Sequence, residues 1–420
     1  MQTSPSHPRG TVAQIVLAIV GIVLYGLAGA IFLIGTFTQG TDTATTLTDQ
    51  ISSLSLSLTA FTACALMIPS LVHATRPAQP APVAKLDRSL LLAAALGMVI
   101  WGGLVFWGDW SIRNSVLPWL LPVLQVLATG IPLWFLFTLG SMGLSSGSAQ
   151  RKWGILDFSL SVSPLAILVL EFFLLIVLGI ILVIAVLLQP GALDNLQSFN
   201  RMMQDLSSNP TLIDPLITQL GQSPGVLAGV LIVVAVAIPF IEEILKPLGL
   251  IVLAKRKPTP SQGFVAGLLC GAGFAFLETA GNLAGAVPAD WTSLAITRLG
   301  TGLLHITASG LVGWGLASAI TLKKRGRFWG AYLSAVALHG TWNAFAILMG
   351  FFPILTPDIM PDLQFAAGLG TIAPYVLITL SVGMLVILVL MNRKLRREAT
   401  TPPALPPPPN ASAENLGKVR

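Results

Sequence analysis

Charge is what this sequence has least of. Only 10% of its 420 residues are Asp, Glu, Lys or Arg, and 54% are hydrophobic, whereas ordinary soluble domains carry roughly 25% charged residues. A water-soluble globular chain is excluded, and the mean hydropathy of +0.82 points to an all-α, polytopic bundle of membrane-spanning helices. There are two cysteines, Cys64 and Cys270, and both fall inside apolar runs. That excludes a disulfide framework and a Cys-based zinc site. The formal charge of +6 does not imply nucleic acid, because the basic residues sit between apolar runs rather than along one phosphate-binding face. Neither end carries a lipidation motif.

What is present is a series of long apolar segments. Ten can be drawn, near 11–37, 46–72, 89–107, 117–139, 161–188, 226–252, 262–286, 298–321, 328–351 and 368–391. Each is long enough for a transmembrane helix. The first is longer than a signal-peptide core of ~7–15 residues and is preceded only by Arg9, so it reads as a retained span. Ten crossings put both termini on one side. Seventeen Lys and Arg residues fall in alternate connections and at the two ends, against Arg113, Arg201 and Arg298 on the opposite side. The split predicts cytoplasmic termini in a cell membrane.

Within this apolar background a few charges stand out. Glu242, Glu243 and Lys246 lie inside the sixth segment, where an ionisable residue costs ~2.5–3.5 kcal/mol at mid-membrane. On a helix Glu242 and Lys246 stack at i,i+4 and Glu243 lies close to Lys246 at i,i+3. The seventh segment has Glu278 and Asn282 on one face, with Gly267, Gly271, Gly281 and Gly285 at four-residue spacing, a pattern that admits a close neighbour. In the eighth, Arg298 and His305 are two turns apart on one face. The ninth carries His339 and Asn343 at i,i+4. At ~1.5 Å per residue from the predicted cytoplasmic borders, Glu242 lies ~20 Å deep, Glu278 ~24 Å, His339 ~18 Å and His305 ~27 Å, so all four can meet. Glu171 is the one charge deep in the fifth segment, and there the simpler reading is a carboxyl hydrogen-bonded to a neighbour.

Glutamates, two imidazoles and an amide can activate water against a carbonyl. A glutamate serves as general base, and His or Asn donates to the developing oxyanion. The same set could instead hold a divalent metal such as zinc through His305, His339 and one glutamate, for which Glu278 is the candidate, leaving a position open for water. HExxH is absent, as are GxSG and GxGD patterns near a catalytic partner. An intramembrane Glu, Lys and His relay also fits a proton-coupled secondary transporter, although the related halves common in transporters are missing. A third reading is a helix clamp without catalysis.

Taken in order, Glu242-Glu243-x-x-Lys246, Phe274-x-x-x-Glu278 in a GxGFAFxE setting, Arg298 with His305 in HxxxSGxxGxG, and His339-x-x-x-Asn343 resemble the PrsW-type intramembrane proteases. These are related to the CAAX-protease and bacteriocin-processing superfamily. The matching motifs cover residues 237–346. The chain has Thr279 where the family commonly has Asn, and Asn282 one turn on could supply that amide.

The resemblance implies hydrolysis of peptide bonds in membrane-anchored proteins, anti-sigma-factor-like regulators among them. In that case Glu242 and Glu243 would activate water, Glu278 and His305 would position or polarise, and His339 and Asn343 would stabilise the oxyanion. Lys246, Asn282 and Arg298 would support them. Which glutamate is the base stays open. The expected layout is a short cytoplasmic N-terminus (1–10) and a five-span region (11–188), then an outer loop with an interfacial amphipathic helix (189–225). A catalytic four-span core (226–351), an outer loop with the last span (352–392), and a Pro-rich disordered tail (393–420) follow.

Overall fold

The computed structural model describes residues 8–38, 44–77, 86–114, 116, 118–187, 197, 201, 204, 224–253, 257–285, 291–351 and 364–400. The expected amphipathic helix after Gln189 and the Pro-rich tail lie almost wholly outside them. Among the described residues there are ten helices long and apolar enough to span a membrane, as the hydropathy pattern predicts. The long elements are α1 (Pro8–Thr38), α2 (Ala44–Thr75), α3 (Arg88–Arg113), α4 (Leu121–Ser141), α5 (Ala149–Leu160) and α6 (Val162–Leu187). The sixth span is built from α7 (Pro224–Ile232), a π turn (Val233–Ala237), α8 (Ile238–Leu245), a 3-10 turn (Lys246–Leu248) and α9 (Gly249–Val252). Then come α10 (Pro260–Gly285), α11 (Trp291–Leu322), α12 (Arg325–Phe351) and α13 (Gln364–Thr400).

The bundle is organised around α10 and α11. In their most apolar stretches 83% and 78% of residues are buried, against at most 50% in any other span. Glycine makes this pair. A Cβ on Gly263 would lie 2.4 Å from the Gly313 carbonyl oxygen, one on Gly267 2.0 Å from that of Ser309, and one on Gly271 2.2 Å from that of His305. The two backbones therefore touch, which only small residues permit. The stripe noted in the sequence divides here: Gly281 and Gly285 have nothing within 4 Å of an added Cβ.

Around this pair the outer helices show apolar side chains to the surroundings. Val99, Phe106 and Phe172 are each more than 60% exposed, as expected where lipid rather than water is the solvent. Between helices the contacts include buried polar ties. Gln14 Nε2 donates to Ser70 Oγ at 3.2 Å and to the Gln150 carbonyl at 3.0 Å, and Ser70 Oγ donates to Asp157 Oδ2 at 2.9 Å. Trp291 Nε1 donates to the Val105 carbonyl and Gln125 Nε2 to that of Leu283.

The fifth span is longer than its apolar run. Ser148 caps α5, accepting from the Arg151 amide, and the helix is interrupted at Ser161 before α6. While α5 packs on α2 and α10, α6 crosses to pack on α8. One span thus joins the N-terminal helices to the helix bearing Glu242 and Glu243.

A methyl group at Gly271 should therefore destabilise the protein by ~1–3 kcal/mol through overpacking. Gly281→Ala should be neutral or slightly stabilising, because alanine is the better helix former. Thermal unfolding of both variants in the same detergent measures the difference, and equal midpoints would contradict the packing described.

Candidate active site

The backbone of the sixth span is deformed on both sides of its charges. Ile238 N–H bonds the Val233 carbonyl in the π pattern, and Pro239 has no N–H to offer. The Val234 carbonyl is left without a helical partner, and Asn343 Nδ2 on α12 donates to it at 2.9 Å. One turn earlier on α12, Gly340 lets the helix approach the Ala235 carbonyl, since a Cβ there would lie 2.2 Å from that oxygen. Tyr332 Oη donates to the Phe240 carbonyl at 2.8 Å. Below the glutamates, the chain tightens into the 3-10 turn containing Lys246 and Pro247. The irregular backbone is thereby satisfied by protein groups, as the membrane interior demands.

Lys246 is the centre of the site and has no exposed surface. Its Nζ lies 2.6 Å from Glu242 Oε2, 2.9 Å from Glu243 Oε1 and 2.8 Å from His305 Nδ1. The Phe274 ring sits with its centroid 4.3 Å from the same nitrogen, within the range of a cation–π contact. An ammonium can only donate, which fixes the tautomer of the first imidazole. His305 Nδ1 accepts, so its Nε2–H donates to Glu278 Oε2 at 2.6 Å. Arg298 Nη2 reaches the same oxygen at 2.9 Å. On the other side, His339 Nδ1 is 2.9 Å from Glu243 Oε1 and is the donor to that carboxylate. The two imidazoles stand edge to face, 5.1 Å between centroids.

The expected residues divide into two groups. Glu242, Glu243, Lys246, His305 and His339 come together and are buried, with Glu278 and Arg298 adjoining through His305. Asn343 instead serves the π turn, and Asn282 Nδ2 donates to the Glu278 carbonyl of its own helix at 2.7 Å. Thr279 Oγ1 accepts from Arg298 Nε and Nη2, each at 3.3 Å. The sequence reading gave Glu171 no part, and it lies half-buried on α6, the helix that packs against α8. Its signal in the sequence is that it is the one ionisable residue of α6.

The site can also receive a metal. Donor atoms of Glu242, Glu243, His305 and His339 lie within 4.8 Å of one another. Glu243 Oε2 is buried without a hydrogen bond, a donor that a cation would satisfy. Glu278 stands outside this set of four, behind His305. With their carboxyls ionised, Glu242, Glu243 and Glu278 outweigh Lys246 and Arg298 by one negative charge. The donor chemistry therefore suits a divalent cation, which would take up lone pairs that Lys246 now engages. Beside Glu278 a cavity of about 530 Å³, lined by Leu277, Gly281, Asn282 and Gly285, opens outward.

A family model described as PrsW family intramembrane metalloprotease matches residues 164–391, more than half of the chain. The chain belongs to this family. It is an intramembrane peptidase and an integral, multi-pass membrane protein. No curated protein and no solved structure matches it. The PrsW match begins within α6, so it takes in Glu171 as well as the four motif-bearing spans.

Removing the ammonium should leave two buried carboxylates facing each other. Lys246→Met is expected to destabilise the protein by ~3–5 kcal/mol, the usual result of breaking a buried pair from one side. Lys246→Met combined with Glu243→Leu should recover a substantial part of that loss. A double-mutant cycle on unfolding in detergent measures the coupling, and additive losses would contradict the geometry.

Proposed function

We propose that this PrsW-family protease cleaves membrane-anchored protein substrates with Glu242 as the general base. The observation that supports this most is the convergence of Glu242, Glu243, Lys246, His305 and His339 in one buried cluster. Of the two adjacent glutamates, Glu243 is fully enclosed and held by Lys246 and His339, whereas Glu242 keeps a small exposed area. That difference favours Glu242 as the carboxylate that meets water. Glu243 is assigned to holding the cluster together.

In the reaction Glu242 takes a proton from water as the water oxygen bonds to the scissile carbonyl carbon. The carbonyl π electrons move to oxygen, and Lys246 offsets the charge that builds there, while Arg298 stays paired with Glu278. The intermediate then collapses, the C–N bond breaks, and Glu242 passes its proton to the departing amine. The elements of water end divided between the two products. A divalent metal held by Glu243, His305 and His339 would supply Lewis acidity toward the carbonyl and the water, and zinc is the first candidate for a donor set rich in imidazole. Glu278 then acts as the carboxylate that orients His305. Asn343 is assigned to fixing the π turn rather than to the oxyanion.

The substrate reaches the cluster past Glu278, where the outward-opening cavity adjoins the site. Anti-sigma-factor-like regulators are the substrate class that the family resemblance implies. The asymmetric distribution of Lys and Arg supports cytoplasmic termini in a cell membrane.

Purified protein in proteoliposomes with a single-span peptide substrate provides the test. Glu242→Gln should lower kcat by ~10²–10⁴-fold, the usual contribution of a general base, and full activity in that variant would overturn the assignment. Elemental analysis should find about one divalent metal per chain by the stoichiometry of a single site. Chelation should abolish cleavage and readdition of metal should restore it, whereas cleavage indifferent to chelators would remove the metal from the scheme.

A further inference from the structure

A second cavity lies away from the candidate active site. It measures about 820 Å³ and is lined by residues of α2, α3, α4, α5 and α10, a size usual for sites that hold small molecules. Its wall includes none of Glu242, Glu243, Lys246, Glu278, His305 and His339. Apart from a few hydroxyls, Asp87 and Lys152, the lining side chains are apolar. The charged groups gather at one end, where α4 finishes and α5 begins. There Lys152 Nζ lies 5.9 Å from the Phe137 ring centroid and 5.8 Å from that of Trp153, within cation–π range. Among the described residues Lys152 forms no ion pair. A second cation stands at the same rim, since a Cβ on the lining residue Gly143 would lie 2.8 Å from Arg396 Cδ. Asn392 Nδ2 donates to the Gly140 and Met142 carbonyls at 2.9 Å each, which fastens α13 to this end of α4. Asp87 opposes them, but its Oδ1 is engaged in capping α3, accepting from the Ser89 and Leu90 amides and from Ser89 Oγ. Two cations against one committed carboxylate leave the rim positive.

Below the rim the cavity follows the helices. From Val265 to Phe276 its α10 wall runs ~16 Å, about the depth of one leaflet in a hydrocarbon core ~30 Å thick. An apolar space of this kind gains dispersion contacts when hydrocarbon fills it. We propose that the cavity holds an acyl chain of an anionic glycerophospholipid, whose phosphate lies at the rim beside Lys152 and Arg396. The ligand keeps the orientation it has in its own leaflet, with the phosphate at the border and the chain along the helices. Basic residues at the border supply the attraction for the headgroup, and the apolar wall supplies that for the chain.

Gly130 on α4 makes the two contributions separable. It lines the cavity, and a Cβ added to it meets nothing within 4 Å, so Gly130→Phe places a ring in the space meant for the chain. Gly102 on α3 is equally open but lies outside the wall, and Gly102→Phe is the control for an added ring. The full chain, delipidated in detergent, is titrated by native mass spectrometry with phosphatidylglycerol or with phosphatidylcholine of the same chains. Wild type and Gly102→Phe should each retain one phosphatidylglycerol in preference to phosphatidylcholine. Gly130→Phe should lose it. Lys152→Gln should weaken phosphatidylglycerol by ~5-fold, the value of one basic residue at an anionic surface, and leave phosphatidylcholine unchanged. Phosphatidylglycerol should also raise the unfolding midpoint of wild type and Gly102→Phe. Undiminished binding in Gly130→Phe would overturn the proposal, as would equal binding of the two lipids that Lys152→Gln does not alter. Displacement of the lipid by the single-span peptide substrate would give the cavity to substrate instead and overturn it too. Should Gly130→Phe fail to fold, the Lys152→Gln comparison decides alone.

Discussion

A single buried ammonium sets the terms for the rest of this site. Lys246 has no contact with solvent, and removing an ion from water costs several kcal/mol even after relaxation. The cost is offset only if every direction around the nitrogen is occupied, and here it is: two carboxylates from its own span, an imidazole lone pair from α11 and an aromatic face from α10. Each partner is committed in turn to another helix, His305 to Glu278 and Glu243 to His339. Four spans are therefore bound to one position, and a shift of any of them by a fraction of a turn would strand a charge. The precision that hydrolysis needs from a base and its partners is here a consequence of keeping buried charges satisfied.

Two backbone devices bring these side chains within reach of each other. The first is the glycine contact of α10 with α11, where Gly271 abuts the carbonyl of His305 itself. A larger residue there would move the imidazole away from Glu278, so close packing and ligand geometry are one constraint. The second is the π turn ahead of Pro239. It rotates the following helix relative to a regular one and frees a carbonyl that Asn343 then takes up. His339 and Asn343 lie one turn apart on α12, so the same helix face both docks the deformed span and places an imidazole against Glu243.

Hydropathy alone was enough to read the ten spans, because a lipid-facing helix advertises itself residue by residue. The core of the site was readable for the complementary reason: charges in such a background have few inexpensive explanations, and Glu242, Glu243, Lys246, Glu278, His305 and His339 each stood out. What could not be read was the destination of the neutral donors. Asn343 and Asn282 were expected to face the reaction, yet both bond backbone carbonyls, and the carbonyl that draws Asn343 exists only because the helix is deformed. The glycine stripe on α10 was visible as a spacing of four, but not that its first half is packed and its second half open. Glu171 was seen and set aside, since a lone carboxyl in an apolar span can always find one hydrogen bond. Its surroundings depend on where α6 packs, which the sequence pattern does not show.

The fifth span also connects the N-terminal helices to the sixth span. Asp157, buried in α5, is tied through Ser70 to α2 and through Gln14 to α1, so the start of the fifth span moves with the N-terminal bundle. Fourteen residues later the same span carries Glu171, half-buried on the helix that packs against α8. At ~1.5 Å rise per residue the two positions lie about 20 Å apart along the span. The interruption at Ser161 lies between the two. The N-terminal spans thus meet the helix that carries Glu242 and Glu243 through α6, whose packing on α8 joins the two parts of the bundle.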